Sequence, residues 1–172
     1  MFKYGISMFE KAEEYKNTVL SLTERGVYNS GTVVLCELAM ECYLSSILET
    51  LAKKDCDSIF GRGNVPHDMM RMYRNCYKHD TEHVLPPFNR KLQQQLGSAF
   101  MDYNASRFPR PNQKRIVNEE SIDFNMYLME NVSKLASSII RKCHNYSETQ
   151  HNILEDIQDE TFENLTDEVE RE

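Results

Sequence analysis

Met8, Ala12, Tyr15, Val19 and Leu22 recur at steps of four and three, while Glu10, Lys11, Glu13, Glu14 and Lys16 fill the other faces. That spacing predicts one amphipathic helix ending near Gly26, a residue suited to a helix C-terminus. After an Asn29-Ser30 start signal, the run GTVVLCELAMECYLSSILETLAKK is apolar nearly all the way round. A helix with this pattern belongs in the middle of a bundle. A loop containing GRGNVPH precedes a third helix, with Met69, Met70, Tyr73, Cys76 and Tyr77 on its apolar face and Arg71, Arg74 and Lys78 as a basic stripe. Pro86-Pro87 closes that region, and Phe88, Leu92, Leu96, Ala99 and Tyr103 begin a fourth helix. A long last helix is expected from about Asn118. Asn118 caps it, Glu119 and Glu120 lie in its first turn, and Leu128, Val132, Leu135, Ile139, Cys143 and Tyr146 form its buried stripe. No segment alternates apolar and polar residues. The expected fold class is therefore all-α, an antiparallel bundle of about five helices.

Glu37 and Glu41 stand one turn apart inside the apolar second helix, where an unpaired charge is costly to bury. They either reach solvent, share a face with a basic partner, or line a polar cavity. Glu41 attracts the closer attention because Met40, Cys42, Tyr43 and Leu44 surround it.

At 172 residues the chain suits one domain. Charge divides it into two regions. Residues 147–172 carry ten Asp or Glu against the single Arg171, whereas residues 1–146 carry 19 basic and 17 acidic residues. A near-neutral helical body over 1–146 is thus followed by an acidic tail. Ile153, Leu154, Ile157, Phe162, Leu165 and Val169 recur in the tail at near-helical spacing. Both a solvated tail and a partner-docking helix fit this pattern. Charge interrupts the apolar runs before the roughly 20 residues of a membrane span, and the N-terminus shows no secretory pattern, so no membrane association is expected and the default compartment is the cytoplasm. Cys36, Cys42, Cys56, Cys76 and Cys143 are odd in number and contain no CxxC, which implies reduced thiols rather than a disulfide framework.

Three blocks, in order over residues 28–111, carry a family resemblance. LAMECYLSSIL resembles the Ala-x-Glu helix of HEPN domains, with Glu41 at the acidic position and Ser45 where a Lys often stands. VPHDMMRMYR resembles that family's His-led helix through His67. MDYNASRFPRP resembles its Tyr-x-x-x-Arg-aromatic-Pro block through Tyr103, Arg107, Phe108 and Pro109. The resemblance implies an antiparallel helical bundle, frequently a homodimer, associated with nucleotide or RNA chemistry. Pro109 and Pro111 stop the helix and hold the chain extended just beyond Arg107. Arg107 is then available either to pair with Glu41 or Glu37 or to grip a phosphate bidentately. Glu41, His67, Tyr103 and Arg107 are the candidate ligand-binding residues, and Phe108 is expected to pack in the core.

Catalytic HEPN proteins resemble metal-independent ribonucleases with an Arg, four to six intervening residues and a His. RNCYKH supplies Arg74, Asn75 and His79 at that spacing, although Asp80 and Thr81 follow where the family commonly continues His-x-Tyr. A His so placed can move a proton at the ribose 2′-hydroxyl or leaving oxygen while an Arg stabilises the phosphorane. A solvated basic helix face explains the same residues. RKCHNY, with Arg141 and His144, is a weaker match. Cys76, His79 and His83 have a zinc-compatible spacing, with His67 the obvious fourth ligand, but a solvated helix end fits them as well. No Gly-rich phosphate loop or nucleophile elbow is present, and no cofactor is implied. The expected function is binding of a nucleotide, RNA or a protein partner without efficient catalysis. The alternatives are a ribonuclease using Arg74 and His79, or an assembly module for a nucleotidyltransferase-type protein, docked through the tail.

Overall fold

The computed structural model describes residues 4–60, 69–97 and 119–144. Helices α1 (Ile6–Glu24), α2 (Ser30–Ala52), α3 (Cys56–Phe60) and α4 (Met69–Tyr77) are followed by α5, described over residues 90–97, and α6 (Glu119–His144). No strand occurs among the described residues. The protein is all-α.

Local signals account for most helix boundaries. Gly26 adopts φ 72 just beyond α1, where its N–H reaches the Thr23 carbonyl at 2.9 Å. Asn29 caps α2 by accepting from the Thr32 N–H at 3.1 Å, and Asn89 does the same for α5 through Leu92 at 2.9 Å. Phe88 is not a helix position. It precedes α5 and stacks on Tyr73 with ring centroids 5.9 Å apart. The short α3 was not expected. Asp55 opens it by accepting from the Ser58 N–H at 2.7 Å, and buried Glu49 accepts the Cys56 N–H at 3.0 Å.

Helix α2 is the centre of the molecule and packs against α1, α3, α4 and α6. Contrary to the expectation that charge breaks every apolar run too early, α2 is long and apolar enough to cross a membrane. Two-thirds of its most apolar window, 67%, is instead buried inside the bundle. Val33, Cys36, Ala39, Met40, Tyr43, Leu44 and Ile47 are sealed in the core with Val19 of α1, Met72 and Cys76 of α4, and Leu128, Met129, Val132 and Ala136 of α6. Chain directions follow from three junctions. Glu13, Tyr43 and Ser133 meet midway along α1, α2 and α6, whereas Tyr4 meets Thr50 and His144 at one end. Helix α1 is therefore antiparallel to both α2 and α6, which run in the same direction.

The central junction is polar. Tyr43 donates to Glu13 at 2.5 Å, and Lys16 donates to Ser133 at 3.0 Å. Burial, and next the Glu13 hydrogen bond, push the Tyr43 phenol far above its ordinary pKa, so it remains a donor at physiological pH. Tyr43→Phe deletes a bond to a carboxylate that water can still reach. It should lower unfolding free energy by about 1–2 kcal/mol, read as a shifted urea midpoint at constant m.

Candidate functional site

The last turns of α2 and α6 approach the connection after α4 and enclose a half-open cleft of about 170 Å³. Leu51, Leu135 and Ile139 supply its apolar lining, and His79, Thr81, Glu82, Ser138, Lys142 and Cys143 its polar groups. The sequence places Lys53, Lys54, Lys78 and Arg141 at these same helix ends, where cations also complement the helix dipoles.

Backbone and carboxylate bonds hold the turn that carries His79 and Glu82. The His79 N–H donates to the Cys76 carbonyl at 2.9 Å, and the Thr81 N–H to the His79 carbonyl at 3.0 Å. Asp80 is 7% exposed, and its two carboxylate oxygens accept from Val84 N–H at 3.0 Å and Leu85 N–H at 2.6 Å. His83 adopts φ 53, a left-handed conformation that turns the chain back toward the core. Glu82, next to it, is directed at α6. There one carboxylate oxygen accepts from Ser138 Oγ at 3.1 Å and from Lys142 Nζ. The Lys142 hydrogen bond, and next the Ser138 bond, hold the Glu82 carboxyl below its ordinary pKa.

The expected site residues are distributed unevenly. His79 is exposed and lines the cleft. Arg74 is exposed on the last turn of α4, on the basic stripe with Arg71 and Lys78, and is not among the cleft's lining residues. Glu41 is half-buried, while Glu37 is only 2% exposed, so Glu37 is the more deeply placed of the pair, and both have partners. His67, Tyr103 and Arg107, together with Phe108 and Pro109, lie outside the described residues, as does the acidic tail.

The zinc-compatible spacing does not converge. Cys76 turns its Sγ into the core against the Leu44 carbonyl at 3.6 Å, while His79 and His83 face solvent. Among the described residues no group of three His, Cys, Asp or Glu is placed to hold a metal ion. All five cysteines are free thiols. Burial raises Cys36 and Cys56 to about 12 and Cys42 to about 11. Cys143, expected on the buried stripe of α6, is exposed at the cleft because the last turn of α6 extends beyond the core.

Sequence reasoning missed Glu82, Ser138 and Lys142. The Ser-x3-Lys spacing on α6 was the available signal, since residues four apart share a helix face. Its partner is 60 residues away and has no local signature. No family model matches the chain, and a search of curated proteins returns no match.

Proposed function

We propose that this chain is a HEPN-like helical domain that binds single-stranded RNA or a nucleotide through a phosphate at the His79 cleft, without being an efficient enzyme by itself. The supporting observation is the cleft's composition. The same lining holds apolar Leu51, Leu135 and Ile139 and a hydroxyl, an ammonium and an imidazole from Ser138, Lys142 and His79. A base needs the first kind of surface and a phosphate the second. Only the few cations at the helix ends take part, in keeping with a body that is nearly neutral overall. A broad duplex-binding face does not suit this charge distribution.

Binding of end-labelled single-stranded RNA, followed by fluorescence anisotropy over a salt series, tests the reading. Lys142→Met should weaken binding and reduce the slope of log affinity against log salt by roughly 0.7, the loss of one phosphate contact on a single strand. An unchanged slope and affinity would remove Lys142, and with it the cleft, from the interface.

A ribonuclease reading is favoured by the exposure of His79 at the cleft, with Arg74 solvent-facing five residues earlier. Its chemistry would use His79 to transfer a proton at the 2′-hydroxyl or leaving oxygen and Arg74 to stabilise the phosphorane. Incubation of the same RNAs in EDTA separates the two readings. Cleavage that drops by about 10²-fold or more in His79→Ala would identify an enzyme. Binding without cleavage by the wild-type protein supports the binding domain.

A further inference from the structure

On the reading that the cleft binds a phosphate, we infer that the carboxylate of Glu82 is a built-in stand-in for that phosphate. The geometry of α6 carries this inference. Ser138 and Lys142 are four residues apart on one helix face, and both donate to the same Glu82 oxygen. Two donors converging on one anionic oxygen form an arrangement that a phosphate oxygen can accept equally well. Glu82 reaches them from a turn held by the Asp80 carboxylate, so the occupying group belongs to the fold.

The occupant is also replaceable. Glu82 and Lys142 are 44% and 60% exposed in their side chains, and an ion pair this open to water is weak and screened by salt. A phosphate brings more charge and more acceptor oxygens to the same two donors than one carboxylate does. Displacement leaves Glu82 free to swing into solvent, at no cost in buried charge.

His79 lies among the lining residues, and its ring N–H is a further donor available to a phosphate.

Calorimetric titration of the full chain with uridine 5′-monophosphate and uridine tests this, comparing wild type with Glu82→Gln and with the Glu82→Gln/Lys142→Met double variant. Glu82→Gln should bind uridine 5′-monophosphate about fivefold more tightly than wild type, with no gain for uridine. The gain should vanish in the double variant. Equal affinity of wild type and Glu82→Gln for uridine 5′-monophosphate, or no binding by either, overturns the stand-in role. A Glu82→Gln gain with no binding of single-stranded RNA would retain the stand-in and defeat the RNA reading. RNA binding through Lys142 with no Glu82→Gln effect on the mononucleotide would do the opposite.

Discussion

Gly5→Ala should destabilise the bundle by about 2–5 kcal/mol, the largest loss expected from a methyl group added at any of the described glycines. Gly5 sits at the N-cap of α1 with φ 84, a left-handed conformation that costs an L-residue about 1–2 kcal/mol. Space contributes the remainder. A Cβ at Gly5 would fall well inside van der Waals contact of Thr50 Oγ1 and of the Ser46 carbonyl oxygen. Thr50 could rotate, but only by giving up its 3.1 Å bond to the Tyr4 carbonyl, and the Ser46 carbonyl belongs to the α2 backbone. The same carbonyl of Tyr4 lies 2.9 Å from His144 Nε2, so displacement would loosen the junction of α1, α2 and α6 together. Gly26→Ala is the matched control. Gly26 has a similar φ of 72 but nothing within 4 Å of an added Cβ, so only the backbone cost of about 1–2 kcal/mol should appear. Urea unfolding of both variants measures the difference. Equal losses would show that α2 yields to the methyl group and that the close approach contributes nothing.

Asp80→Ala should cost about 3 kcal/mol and disable the cleft as well. The Asp80 carboxylate accepts two backbone N–H groups, and bonds to a charged acceptor contribute roughly 1.5–3 kcal/mol each before partial re-solvation. Leu85 is 4% exposed, so its N–H would lose its acceptor in a place that water reaches poorly. Asp80→Asn, which retains one acceptor oxygen, should fall between wild type and alanine. Hydrogen exchange at the Val84 and Leu85 amides should accelerate in step with the loss of global stability. Because His79 and Glu82 stand on either side of Asp80 in the chain, the proposed binding at the cleft implies that RNA affinity should fall in Asp80→Ala at temperatures where the variant is still folded. Retained affinity would show that the turn need not be held for the cleft to bind.

Much of the helical framework was legible because its signals are local. The 3.6-residue period of α1 and the all-round apolarity of α2 point directly to a surface helix and a central one, and Asn29 marks the boundary that its side chain caps. Where the sequence reading departed from the structure, competing contacts decided. Phe88 continues the helical period of α5, yet it is spent on stacking with Tyr73 before the helix begins. The stripe read for α6 was too narrow, since Ile122, Met129, Ala136 and Ile140 are also buried. It also ran too far, since Cys143 overhangs the core.

For the candidate site, the sequence brought out His79 through its spacing from Arg74, but gave no sign of the residues that line a cleft with it. His79 shares its cleft with Ser138, Lys142 and Glu82, whereas Arg74 stays on the basic stripe of α4. The helices α1, α2 and α4, the Asn29 cap and the contrast in charge between residues 1–146 and 147–172 were determined by the sequence alone, because each depends on residues within a turn or two of one another or on composition. Which ends meet was decided only by the tertiary structure. The parallel run of α2 and α6, and the return of the chain through the Asp80 turn, bring Glu82 to a lysine 60 residues away. Contacts at that separation depend on how whole helices bury their apolar faces, and no short stretch of sequence contains that information.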